Sequence, residues 1–144
     1  MKKLKRQLGE CNLLRFIDSN IFIYHMANDP EHGEKASKIL EKIEDGEEAA
    51  TSTLVIIQVC SYLRWKRKPE VIPKFLSFLR SLPNLEKVET TFQDLIQASE
   101  ICEKIGWNLW DDAVIAAQMK RLKINEIYSN DADFDKIPSI KRIF

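Results

Sequence analysis

The sequence predicts an α/β domain whose parallel sheet is covered by helices on both faces. Three observations carry this. Short apolar, strand-like segments alternate with longer helical ones, and no turn signal joins two of the strand-like segments as a hairpin. With 144 residues and no Pro- or Gly-rich linker, the whole chain, residues 1–144, reads as one domain burying roughly 70% of its unfolded surface. Residues 1–12 read as a basic N-terminal extension.

The elements follow in order. "NLLRFID" is a short buried strand, interrupted by Arg15, which must lie at an edge or send its head to solvent. A short apolar helix, "NIFIYHMA", follows. "PEHGEKASKILEKIEDG" has Pro30 near its start, apolar Ala36, Ile39, Leu40 and Ile43 at helical spacing, and Gly46 as its stop. "EEAATS" leads as a brief strand into the helix "TLVIIQVCSYLRWKRK", which Pro69 ends. "EVIPKFLSFLRSL" is another helix and "LEKVET" another strand. Thr91 with Asp94 starts "FQDLIQASEICEKIG" as a capping box, closed by Gly106. "DDAVIAAQMKRLK" is a helix, and "NEIYSN" and "IKRIF" are strands.

Composition excludes several classes. Hydrophobic residues make up 44%, with 4 Gly and 5 Pro, so disorder and low complexity have no support, and no internal repeat is visible. The longest apolar run is far short of the ~20 residues a membrane span needs. The basic start "MKKLKRQLGECNLLRF" lacks the apolar core and cleavage site of a signal peptide, which makes the cytoplasm the expected location. Cys11, Cys60 and Cys102 are odd in number and widely separated, the pattern of free thiols. Net charge is zero, yet unevenly placed. Basic residues cluster at Lys2, Lys3, Lys5 and Arg6 and at Arg64, Lys66, Arg67 and Lys68; acids gather in "EDGEE" and at Asp111, Asp112, Asp131, Asp133 and Asp135.

The acids matter because ligands of such sheets bind beyond the carboxyl ends of the strands. Asp18 ends the first strand and Ser129 to Asp131 end a later one; if those strands are neighbours, the acids meet. Asp18 also has the reading of a helix N-cap. In "WDD", one acid is explained by the helix dipole. Asp112 heads the stripe Ile115, Ala116, Met119 and Leu122 and should face inward, whereas Asp111 shares a side with Gln118. An inward carboxylate is costly unless paired or bound to a cation, which favours Asp112 as functional. The alternating Asp131, Asp133 and Asp135 begin like an EF-hand loop, but its required Gly and Glu positions hold Lys136 and Arg142, so that reading fails.

Carboxylates without Cys or His suit Mg²⁺ or Mn²⁺, and the chemistry they favour is metal-assisted attack of water on a phosphodiester. Without the ion, close acids repel and their pKa values rise. Phosphate-loop, dinucleotide and nucleophile-elbow motifs are missing, and His25 and His32 suit surface or core roles.

"FIDSNIFIY", "ATSTLVIIQVCSYL", "WDDAVIAAQM" and "IYSNDADFDKI" occur in the order and context of a PIN domain, and the chain from about Leu14 to Ile137 resembles the VapC-like ribonuclease toxins of toxin-antitoxin pairs. The resemblance implies a three-layer α/β/α sandwich, an acidic site binding Mg²⁺ or Mn²⁺, endonucleolytic cleavage of RNA, a homodimer, and a small antitoxin that blocks the site. It places Asp18, Asp112 and Asp131 as catalytic metal ligands, with Asp133 as the auxiliary acid. Ser19, Asn20 and Ser129 are the supporting polar positions, and Asp135 has no role. Gln58 stands where the family has Glu. An amide oxygen can coordinate but brings no charge, which implies weaker metal affinity and reduced or absent activity; the bland reading of Gln58 is a polar residue satisfied near the core.

For the substrate, Arg64, Trp65, Lys66, Arg67 and Lys68 combine cations and an aromatic ring suited to single-stranded RNA, or form a solvated helix end. A catalytically inactive RNA-binding or protein-binding module is the rival function. A phosphate-accepting receiver is a third, disfavoured because the acid pair Asp111 and Asp112 comes late.

Overall fold

The computed structural model describes residues 14–144. The N-terminal extension, its basic cluster and Cys11 lie outside the described residues.

Strands and helices alternate as β1 (Arg15–Ile17), α1 (Ser19–Met26), α2 (Gly33–Glu44), β2 (Ala49–Ser52), α3 (Thr53–Trp65), α4 (Val71–Arg80), β3 (Leu85–Val88), α5 (Phe92–Ile105), α6 (Trp110–Leu122), β4 (Glu126–Tyr128) and β5 (Lys141–Ile143). Short 3₁₀ turns precede α6 at Trp107–Leu109 and follow β4 at Ala132–Lys136. The sheet order is β3-β2-β1-β4-β5 and every pair is parallel, which gives the expected α/β/α sandwich. That order differs from the 2-1-3-4-5 order of receiver-type sheets, which removes the receiver reading.

Local chemistry explains the elements. The buried face of α2 is the predicted stripe Ala36, Ile39, Leu40 and Ile43. The helix begins at Gly33 rather than at Pro30, because the Asp29 carboxylate accepts the backbone N–H groups of Glu31 and His32 and holds them in a turn. At α5, Thr91 Oγ1 accepts from Asp94 N and Asp94 Oδ2 accepts from Thr91 N, the reciprocal cap. Asp94 also takes two bonds from Arg121, at 2.8 and 2.9 Å, tying α5 to α6. Gly106 ends α5 at φ 115°, a conformation that side chains resist.

The core joins Phe16, Ile17, Phe22, Phe75, Ile127 and Phe134, all fully buried, with the Phe22 and Phe75 rings edge to face. Arg15 departs from expectation. It sits on the central strand, and its guanidinium meets Glu47 at 2.9 Å, Glu126 at 3.6 Å and the Tyr128 hydroxyl at 2.7 Å. A charge can occupy a central strand there because two carboxylates close around it at the amino end of the sheet.

The feature that positions the site is the β1–β4 pair, with Ile17 opposite Tyr128. From β1 the chain winds outward to β2 and β3; from β4 it goes the other way, to β5. The crevice at the carboxyl ends of β1 and β4 is the point where such sheets bind ligands.

Candidate metal centre

Asp18 follows β1, and its backbone N–H donates to Tyr128 O at 3.0 Å, so it emerges beside the end of β4. Asp18 is 4% exposed, and both its carboxylate oxygens accept hydrogen bonds. Oδ1 accepts from Ser19 N at 2.7 Å, as an N-cap of α1, and Oδ2 accepts from Ser129 Oγ at 2.6 Å and Asn20 Nδ2 at 3.3 Å. Both readings of Asp18 therefore hold at once: it caps a helix and faces the crevice. Burial pushes its carboxyl above the ordinary range, opposed by the bonds from Ser129 and Ser19, and Asp131 adds repulsion.

Ser129 is the junction between the two strand ends. Its hydroxyl donates to Asp18 and accepts from Asp131 N at 3.0 Å. Asn20 spans the same gap, with Nδ2 3.3 Å from Ser129 Oγ and Oδ1 accepting from Asn130 N. Asp131 then starts the 3₁₀ turn by accepting from Asp133 N at 2.9 Å.

Asp112 enters from the first turn of α6. Its pKa is pushed up to about 7, by burial first and then by Asp131, Asp18, Asp133 and Asp111. Single carboxylate oxygens of Asp112, Asp131 and Asp133 lie within 4.8 Å of one another, close enough to share one cation. A cavity of about 390 Å³ is lined by Asp18, Ser19, Asn20, Gln58, Asn108, Trp110, Asp111, Asp112 and Asp131. Asp112 and Asp131 belong to both groupings, with Asp18 on the cavity side and Asp133 on the outer side, where Lys136 pairs with it at 3.2 Å.

Gln58 arrives from the middle of α3. The reading of a satisfied near-core amide holds for one atom only: Nε2 reaches Asp111 Oδ2 at 3.5 Å, while Oε1 is buried without a hydrogen-bond partner, and the residue lines this acidic cavity. An oxygen-only donor set of three or four carboxylates and an orphaned amide oxygen fits Mg²⁺ or Mn²⁺.

Asp111 also corrects the helical-phase argument. It lines the cavity, while Gln118, two turns on, is buried and donates to Thr90 Oγ1 at 2.6 Å. Two causes combine. Side chains lean toward a helix's N-terminus, so a first-turn residue reaches past the end, and α6 is buried all round from Ala113 to Met119, so phase selects no outward face there. Asn108 and Trp110 carry no signal in the sequence; the 3₁₀ turn brings Asn108 to the cavity, Trp110 reaches it as the first residue of α6, and no spacing rule encodes that.

The remaining candidates lie elsewhere. Arg64, Trp65, Lys66, Arg67 and Lys68 are exposed at the end of α3, outside the cavity lining, about 10 Å along the helix from Gln58. Trp65 is 72% exposed, and Lys66 Nζ lies 5.1 Å from its ring. Asp135 pairs with Arg142 at 3.1 Å. His25 bonds Ser37, and His32 packs on Tyr24 and Phe144. Cys60 and Cys102 are free thiols.

The fold and site together define a parallel α/β sandwich with acids gathered at its β1–β4 crevice. The PIN domain model matches residues 15–140, and the chain belongs to the PIN domain family. Within that family it is VapC-like. It is 27% identical to Ribonuclease VapC2 of Methanocaldococcus jannaschii over 155 residues, covering 99% of each chain. It is 28% identical to Ribonuclease VapC13 of Mycobacterium tuberculosis over 129 residues, 88% of this chain and 97% of the relative. Among solved structures it is similar to VapC20 of Mycobacterium tuberculosis, a toxin described as cleaving the sarcin-ricin loop. That match has a TM-score of 0.71 and 16% identity, covering 85% of this chain and 92% of that one. It also resembles VapBC2 of Rickettsia felis bound to a DNA fragment from their promoter, with a TM-score of 0.66 and 19% identity over 90% and 97% of the two chains.

Proposed function

We propose that the chain is a Mg²⁺- or Mn²⁺-dependent endoribonuclease of the VapC toxin type, in which Asp18, Asp112 and Asp131 hold the ion and Asp133 supports it. The observation that carries the reading is the convergence of these acids at the β1–β4 crevice, beside the orphaned oxygen of Gln58. The relatives named as ribonucleases cover nearly the entire chain, and the assemblies described as VapBC support an antitoxin protein as partner.

A bound divalent ion supplies an activated water and charge stabilisation for phosphodiester hydrolysis. The chain's own groups prepare for it. Ser129 and Asn20 hold the Asp18 carboxylate in place, and the first turn of α6 presents Asp112. Asp112 must shed its proton to bind a cation, which its crowded setting resists until about neutral pH. Gln58 offers an oxygen without charge, so affinity for the ion is lower than with Glu in its place. Arg64, Lys66, Arg67 and Lys68 with Trp65 contact RNA phosphates and bases away from the cut. We further propose a homodimer acting in the cytoplasm; among the described residues no helix is long and apolar enough to cross a membrane.

The test is cleavage of mixed single-stranded RNA with Mn²⁺ and then with chelator. The wild type is expected to cut, chelation and Asp18→Asn to stop it, and Gln58→Glu to tighten Mn²⁺ binding and speed cleavage. If neither wild type nor Gln58→Glu cuts RNA or binds Mn²⁺, the nuclease reading falls and the inactive binding module takes its place. An unchanged Mn²⁺ affinity and rate in Gln58→Glu would remove the assigned weakness of Gln58.

A further inference from the structure

Gln58 and Asp111 are joined across the cavity in a way that gives each a role the other needs. An ionised carboxylate only accepts hydrogen bonds, so the Gln58 amide must turn its Nε2–H₂ toward Asp111 Oδ2, 3.5 Å away. With the nitrogen facing Asp111, the amide's Oε1 is the atom left over, buried and without a donor, on a residue that lines the cavity. Such an orphan is destabilising unless something else satisfies it. No neighbouring group donates to it in this structure. Asp18 and Asp131 carry carboxylates, and the Asn20 amide N–H₂ is already spent on Asp18 and Ser129. A cation is the partner that suits an acceptor among acceptors.

We infer that Asp111 is a positioning residue of the metal centre: by accepting from Gln58 Nε2 it orients the amide so that Oε1 faces the ion. This rests on the metal-dependent reading above. Asp111 stands exposed in the first turn of α6, where an acid also suits the helix dipole, and it is one residue from Asp112, so its backbone is fixed by the same turn that presents a ligand. Gln58 comes from α3, and the pair therefore joins the two helices that flank the cavity. A carboxylate at the start of α6 thus decides which atom of an α3 amide is left free for the ion.

The experiment is Mn²⁺ titration of the whole chain, followed by the electron paramagnetic resonance signal of free Mn²⁺, with thermal melts to confirm folding. Asp111→Ala removes the acceptor and is expected to lower affinity on the order of tenfold, the usual cost of losing a group that orients a ligand. Asp111→Asn keeps an acceptor oxygen without the charge and should recover most of that loss. In a Gln58→Leu background, Asp111→Ala should change affinity by about twofold or less, because nothing remains to be oriented. If Asp111→Ala and Asp111→Asn lose affinity equally, and the loss persists in Gln58→Leu, Asp111 acts through charge alone and the inference is overturned. A wild-type chain that binds Mn²⁺ and cuts RNA while showing that pattern sinks only this inference. One that neither binds nor cuts sinks the metal-dependent reading and this inference with it.

Discussion

At Asp112 the fold and the chemistry pull in opposite directions. Burial and four neighbouring acids raise its pKa from 3.8 to about 7, so the fold favours the neutral acid while a cation needs the carboxylate. The stability gained from the neutral form is complete below the unfolded-state pKa and is lost as pH rises through about 7. Without divalent ions, Asp112→Asn should therefore melt above wild type at alkaline pH, with the difference closing toward pH ~4. The same variant should lose Mn²⁺ binding and RNA cleavage, a separation that melting curves and a cleavage assay read directly. In the wild type, Mn²⁺ affinity should fall roughly tenfold per pH unit below about 7, since one proton must leave for each ion bound. A flat profile from acid to neutral pH would show that Asp112 is no ligand. The candidate acids were legible because they follow strands and open helices. Asp111 was not, because the direction of a first-turn side chain is invisible to a stripe drawn along α6.

The elements were legible for reasons that differ from one to the next. α2 announces itself by four apolar residues at helical spacing, and α5 by its reciprocal cap. Thr91→Ala should cost about 1 kcal/mol by denaturant melt while leaving Mn²⁺ affinity unchanged, as the cap lies outside the cavity lining. α6 is harder to read: seven consecutive buried residues erase any amphipathic pattern, and its identity rests on length and on the acids at its start. Strand neighbours are not written in local sequence at all. β1 and β4 are three residues each and separated by over a hundred positions, so that they meet could be expressed only as a condition or through the resemblance. Arg15 misled for the same reason. A charge suggests an edge until Glu47 and Glu126 are seen to arrive from the two flanking strands' ends.

At the scale of the molecule, zero net charge conceals an uneven placement: among the described residues, acids gather at the β1–β4 crevice and cations at the end of α3. Replacing Arg64, Lys66 and Arg67 together by Ala should weaken RNA binding similarly for different sequences and reduce the steepness of its salt dependence by roughly two, about 0.7 for each phosphate no longer neutralised. Mn²⁺ affinity should stay the same, which filter binding at several salt concentrations and a metal titration would establish side by side. β1 carries a further consequence. Only Phe16 and Ile17 separate Arg15, clasped by acids at one end of the sheet, from Asp18, clasped by hydroxyl and amide groups at the other. An added or deleted residue here cannot satisfy both ends and also keeps the pleat from burying the same side chains. Length variation in this chain should therefore be tolerated in the exposed turn 66–70 and refused between Arg15 and Asp18, which makes those four residues the ruler against which the acidic crevice is measured.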